Sequence, residues 1–356
     1  MRLLLSTTVL LLCSTLSFGQ NEEVKERYES SYHLLLSMMS GNSKMDFKKA
    51  VFTTENAYRD GQLDTTTINR RIKELVSLCI EFQKSHTLQY DLKDKNEVEK
   101  WGAIFKVLTD TVTRYSNGII YRHLPFLYDF EDFFGESDWS KMFVSKLLFS
   151  GTGNCHSLPY LYKIVAEQLN ATAHLALAPD HVYIKHRSLK TGMFNTELTS
   201  ATFPIDAWIM ASGYIHLTAI QNSVYMKALN DKESIALCLI DLAEGYKRKT
   251  NGSEPDFIIK CCDKALEYFP NYVNALVLKA ETIKSQHDRL KAENPNPANE
   301  IKAQILILFN DMQNLYVKVH KLGYRQMPKD MYMKWLIELK TEKEKYQNKN
   351  VSSYDK

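Results

Sequence analysis

Cys155 follows the turn Ser150-Gly151-Thr152-Gly153 and Asn154, and it stands where the apolar spacing of the next segment predicts the start of a helix. A thiol there has its thiolate favoured by the helix dipole and by unbonded backbone N–H groups. The same N–H groups could receive the oxygen of a tetrahedral intermediate. Downstream, His181 opens a stretch with the alternation of a strand, and Asn195 and Glu197 lie two apart in the next such stretch, so both point to one face. His181 is placed to act as base. Its orienting partner is one of these two, Asn195 or Glu197. Nucleophile, base and third group are what acyl transfer through a cysteine requires.

Plainer readings compete with these. Cys155 can be a structural thiol, because small free cysteines are common in cores. His156 sits directly after Cys155, and adjacent helix positions do not face each other, so it reads as a solvated or capping residue rather than a second base. Cys155, His156, His174 and His181 lack the close pair spacing of a zinc site, and no CxxC occurs; neither a metal nor another cofactor is expected. His186, on the strand face opposite His181, is expected to be exposed.

Several elements must hold these residues in place. Residues 137 to 149 read as a helix capped by Ser137 or Asp138. The helix after Cys155 carries Leu158, Leu161, Tyr162, Val165 and Leu169 on one face, tolerates Pro159 in its first turn, and ends at Asn170, which accepts a left-handed conformation. The pattern then changes from helical to alternating over Thr172 to Ala178, His181 to Arg187 and Met193 to Thr199. A small antiparallel sheet packed on the Cys155 helix is the expected arrangement. Trp208 and Tyr214 read as core, or as the wall of a cleft. Residues 20–100 read as a helical region, with Cys79 on the apolar stripe of Ile72, Leu75, Val76 and Ile80. Towards the C-terminus, Leu242-Ala243, Tyr246, Gly252, Ala265-Leu266, Pro270-Asn271-Tyr272 and Ala275 resemble a tetratricopeptide repeat, with Cys261 and Cys262 packed inside it. A second helix pair spans 273 to 289 and 299 to 321, a closing helix 328 to 345, and the polar tail from about 346 is expected to fray.

Three stretches carry a family likeness: Gly153-Asn154-Cys155-His156-Ser157-Leu158-Pro159, then Ala166-Glu167-Gln168-Leu169-Asn170, then Ala178-Pro179-Asp180-His181-Val182-Tyr183-Ile184. Together they resemble the transglutaminase-like superfamily, and within it the SirB-type proteins, whose transglutaminase-like domain is followed by tetratricopeptide-like repeats. The resemblance covers roughly residues 120 to 285. It implies an α+β, mainly helical fold. A transglutaminase-like (papain-like) cysteine domain with a small antiparallel sheet would occupy 101–229, tetratricopeptide-like repeats 230–325, and a closing helix with polar tail 326–356. It also implies Cys155 as nucleophile, His181 as base and Glu197 in the acid position, because Glu197-Leu198-Thr199 looks like the family's Asp-Pro-Thr. This chain departs from the pattern in having Glu for Asp, and His181-Val182-Tyr183 for the usual His-Ala-Trp. The implied activity is that of a cysteine peptidase or amide acyltransferase on a peptide or protein. The alternative is a catalytically silent scaffold whose repeats bind a peptide or protein partner in a groove.

Composition narrows the classes further. With 356 residues, 44% hydrophobic and 24% charged, the chain can bury a large core and is not disordered. Lys and Arg number 45 against 42 Asp and Glu, a formal +3 without a block of like charge, so nucleic acid is not the expected partner. Met1-Arg2, the mostly apolar run to residue 18 and Ser17-Phe18-Gly19 read as a signal peptide over 1–19, cut before Gln20, which sends the protein to the periplasm or outside the cell. That run is shorter and more broken than the ~20 apolar residues a spanning helix needs, and Cys13 lacks the small residues that precede a lipidated cysteine. No stable membrane anchor is expected. Cys79, Cys155, Cys238, Cys261 and Cys262 then remain, an odd number, so at least one thiol is unpaired or pairs with another molecule.

Overall fold

The protein is seen in a computed structural model that describes residues 22–116 and 119–351; the leader over 1–19, with Cys13, lies outside them. Four helices open the described chain: α1 (22–39), α2 (Phe47–Tyr58), α3 (Thr65–Ser85) and α4 (Lys95–Thr109). Asp46 and Asp64 start α2 and α3 by accepting from the Lys49 and Thr67 amides, each cap contributing about 1 kcal/mol. The middle of the chain holds a hairpin of β1 (Val112–Ser116) and β2 (Ile119–His123), then β3 (Leu127–Tyr128), α5 (Val144–Ser150), β4 (Thr152–Gly153) and α6 (Ser157–Gln168). It continues with β5 (His174–Ala178), β6 (His181–Ser188), β7 (Gly192–Thr196), α7 (Asp206–Ser212) and α8 (Leu217–Gln221). Helices complete it: α9 (Asp231–Lys249), α10 (Pro255–Tyr268), α11 (Val273–Glu293), α12 (Asn299–Lys321), α13 (Lys329–Thr341) and α14 (Lys343–Tyr346). The architecture is α+β and mainly helical, with sheets of two or three strands.

The centre of the core is α6, buried from Ser157 to Ala166. Helices α2, α3, α4 and α5 pack around it, and β5 and β6 lie against it. Even Lys163 is buried, because its Nζ donates to the Ala173 carbonyl and to Asp231. The three strands run antiparallel in the order β5-β6-β7, with Ala178 opposite His181 across the two-residue turn Pro179-Asp180. Asp180 takes the left-handed conformation there, at φ 54°, and Asn170 does so after α6, at φ 51°.

Three expectations need correction. His186 is buried, 1% exposed, with its ring stacked on Trp101 at 4.4 Å and its Nε2 3.1 Å from the Tyr162 hydroxyl. The central strand β6 is covered on both faces, and then opposite faces no longer mean inside and outside. Burial lowers the His186 pKa to about 3, so it is a neutral core ring. The helix expected over 137 to 149 is split into a 3-10 turn at Trp139–Met142, capped by Asp138, and α5, with extended backbone at Phe143 between them. Glu55 causes the restart. Its carboxylate, reaching over from α2, accepts from the Val144 amide at 2.7 Å and the Ser145 amide at 3.0 Å, satisfying the first orphan donors of α5. Burial raises Glu55 to about 7. Finally, the polar tail does not fray as far as it is described. The Asn348 amide donates to Phe203 at 2.7 Å, the Ile205 amide to Tyr346 at 3.2 Å, and Val351 is fully buried, so residues 346–351 lie docked along 203–205.

Trp208 is core, while Tyr214 is 38% exposed and belongs to neither core nor cleft. The cysteines at 79, 155, 238, 261 and 262 are all free and buried. Among the described residues, no helix is long and apolar enough to cross a membrane.

Candidate active site

Two glycines deliver Cys155 to its place. Gly151 ends α5 in the left-handed conformation, φ 73°, with its amide on the Leu147 carbonyl. Gly153 is needed for closeness: a Cβ there would stand 2.6 Å from Ser157 Oγ and 2.8 Å from Leu147 Cδ1. There β4 pairs in parallel with β3, Tyr128 opposite Gly153, which fixes the approach to Cys155. Asn154 then closes the turn. Its Oδ1 accepts from the His156 amide at 3.1 Å, the Ser157 amide at 3.0 Å and Ser157 Oγ at 3.1 Å, and its Nδ2 donates to the Phe133 carbonyl. The first amides of α6, expected to be open to an oxyanion, are therefore occupied by Asn154. The Cys155 amide itself donates to no acceptor among the described residues.

Cys155, 3% exposed, faces the start of β6. Its Sγ lies 3.6 Å from the Asp180 carbonyl. His181 Nε2 meets Glu197 Oε2 at 2.6 Å, and the other edge of the ring faces Cys155 and the hydroxyl of Tyr332, 3.3 Å from Nδ1. Glu197 lies just past β7, bridged to Thr202, and its second oxygen accepts from both the amide and the hydroxyl of Thr199, at 2.8 and 2.6 Å. The predicted nucleophile, base and acid are thus brought together. Asn195 is not: its Nδ2 binds the Pro204 carbonyl and Asp206, tying down the segment after β7.

Burial acts to lower the His181 pKa, but the Glu197 carboxylate and the hydrogen bonds with Cys155 and Glu197 outweigh it and raise it to about 10. Burial likewise acts to raise Glu197, and His181 with the two Thr199 bonds holds it below its ordinary value. The pair is charged, imidazolium on carboxylate. Because the folded pKa of His181 lies above its ordinary 6.5, this group stabilises fully below about pH 6.5 and loses that contribution as pH rises through about 10. The depressed Glu197 contributes above the ordinary carboxylate range and loses that on acidification. Urea midpoints are expected to fall from pH 6.5 to 10, and to fall less in His181→Asn. Equal slopes for the two proteins would show that the folded ring is not held charged.

The sequence reading missed the fourth neighbour. Tyr332, in α13, donates its hydroxyl to Cys155 Sγ at 3.1 Å, so hydrogen bonds run unbroken from Glu197 through His181 and Tyr332 to the sulfur. Its fellow Trp335, one turn on, sets a ring edge against His181 at 4.6 Å and 88°. The i, i+3 aromatic pair in the closing helix was a signal for a shared buried face, though not for which residues it would cover. His156 is neither solvated nor a side-chain cap. Its Nδ1 donates to the Met142 carbonyl and its Nε2 sits 3.1 Å from both oxygens of Asp241, which also accepts from the Tyr160 hydroxyl at 3.0 Å. Burial opposes its protonation, but Asp241 prevails and raises its pKa.

Cys155 and His181 are among the residues that line a cleft of ≈ 220 Å³ whose other wall is Asp241, Glu244 and Arg248 of α9 with Tyr272 and Asn274. Among the described residues no group of three or more His, Cys, Asp or Glu could hold a metal ion. Compared with protein-family models, curated proteins and solved structures, the chain matches none.

Proposed function

We propose that this chain is an exported, transglutaminase-like cysteine enzyme that hydrolyses or transfers acyl groups at amide bonds through Cys155, His181 and Glu197. One observation carries the reading: a buried His181 bound at 2.6 Å to an acid, its opposite nitrogen turned to a cysteine after a helix-initiating turn. A structural cysteine has no use for that arrangement, whereas a nucleophile needs a base held in one tautomer by a third group. The order along the chain, Cys turn before helix, His strand, then acid, supports the family resemblance.

In this reading the Cys155 sulfur attacks the amide carbon and His181 Nδ1 supplies the proton that the departing amine takes. The thioester is resolved by water or by a second amine. The substrate is a peptide or a protein segment lying in the cleft between β6 and α9, with the helical hairpins α9–α10 and α11–α12, read as tetratricopeptide-like, on its far side. A silent scaffold that only binds a partner on those hairpins is the second reading. It is favoured by the sealing of Cys155 and by the Tyr332 hydroxyl already on its sulfur.

The two are separated with a peptide library and a fluorescent primary amine, using Cys155→Ala as the blank. Cleavage or amine incorporation that needs Cys155 is expected. Identical products from both proteins, or none, would leave the scaffold reading.

A further inference from the structure

Attack on an amide carbon places negative charge on the carbonyl oxygen, and the α6 amides that sequence suggested for it are taken by Asn154. Besides the Cys155 amide, the donors left around the sulfur are hydroxyls. Tyr332 is one, already bonded to the sulfur at 3.1 Å. It is no loose plug: it is fully buried, its ring stacks on Phe133 at 5.4 Å and 19°, and residues 346–351, beyond α13, are docked along 203–205. The cleft meets Cys155 between β6 and α9, and Tyr332 is not part of its wall.

The second hydroxyl is that of Tyr128. It is buried, its oxygen meets no partner at regular hydrogen-bond geometry among the described residues although the Tyr332 hydroxyl is close enough to interact with it, and Tyr128 sits directly across the β3–β4 pair from Gly153, two residues before Cys155. It lies within electrostatic reach of Cys155, Tyr332 and Glu197, and burial with the Cys155 charge pushes its pKa well up, which keeps the O–H intact as a donor. A buried donor without an acceptor at regular geometry calls for an explanation, and an acceptor that arrives only with substrate provides one.

We propose that the hydroxyls of Tyr128 and Tyr332 form the oxyanion hole of Cys155, with Tyr332 passing its hydrogen bond from the sulfur to the substrate oxygen. This rests on the acyl-transfer reading above. As the sulfur electron pair forms the S–C bond, the C=O π pair moves onto oxygen; both tyrosine O–H bonds stay whole and donate to it. When the carbonyl reforms, the bond to the leaving group breaks and an amine leaves with the proton from His181. No oxidant or further reactant is involved.

Two reactions of the full chain separate this role from a structural one. Acetylation of Cys155 by p-nitrophenyl acetate passes through an oxyanion; alkylation by iodoacetamide is a one-step displacement that forms none. Tyr128→Phe is expected to slow acetylation about 10²-fold and leave alkylation unchanged. Tyr332→Phe should slow acetylation at least as much, and more than it alters alkylation. Acetylation of Tyr128→Phe at the wild-type rate, or equal losses in both reactions, would overturn the assignment, and Tyr332→Phe reacting faster in both would make α13 a plug instead. If the wild-type protein is alkylated at Cys155 but never acetylated there, the acyl-transfer reading fails and takes this one with it.

Discussion

Glu197→Gln is expected to slow acylation of Cys155 by about 10³- to 10⁴-fold while leaving the fold intact. The size follows from which oxygen of Glu197 does what. One oxygen is fixed by the Thr199 amide and hydroxyl, both of them donors, and the other accepts from His181 Nε2. A glutamine must keep its carbonyl towards the two Thr199 donors, so its NH₂ faces Nε2 and forces that nitrogen to accept. The ring is then held neutral with its single proton on Nδ1, on the side of Cys155, and can no longer be the imidazolium that pairs with Glu197 and gives up a proton to the leaving group. Acetylation of Cys155 by p-nitrophenyl acetate measures the loss. A drop of less than about tenfold would mean that Glu197 does not set the tautomer of His181.

Trp335→Ala is expected to destabilise the protein by about 3–5 kcal/mol, read from urea unfolding. Trp335 is 3% exposed and lies between His181, edge-on at 4.6 Å, and Trp208, stacked at 5.9 Å. Truncation leaves a cavity beside the His181 ring and removes one of the two aromatic side chains, Tyr332 and Trp335, by which α13 covers the site. Acetylation should therefore fall as well, because His181 loses the wall that orients it. A destabilisation under about 1 kcal/mol would show that α13 is not seated on the site in solution.

The parts of the fold that sequence disclosed are those made by neighbours in the chain. The turn before Cys155, the apolar face of α6, the hairpin at Pro179-Asp180 and the alternation through β5, β6 and β7 are all local patterns, and they sufficed to bring Cys155, His181 and Glu197 together. What stayed hidden depends on partners far along the chain. Tyr332 is 177 residues from the sulfur it touches, Asp241 is 85 from His156, and Glu55 is 89 from the α5 amide it caps. The last of these explains why one predicted helix became two, since no local residue announces a cap supplied by another helix. His186 was misread for a related reason: alternation tells the two faces of a strand apart, but not that α4 and α6 cover the second one. Choosing between Asn195 and Glu197 required the register beyond β7, where the bridge to Thr202 turns Glu197 towards His181.

A covalent acyl group on Cys155 tests the proposed chemistry most directly. The full chain and its His181→Ala variant would be treated with p-nitrophenyl acetate, digested, and their acetylated peptides followed over time by mass spectrometry. The expected result is acetyl on Cys155 ahead of the four other buried cysteines and the surface lysines, at a rate that falls about 10³-fold without His181. Acetylation that spares Cys155, or that proceeds there at the same rate without His181, would contradict a working Cys155–His181–Glu197 site.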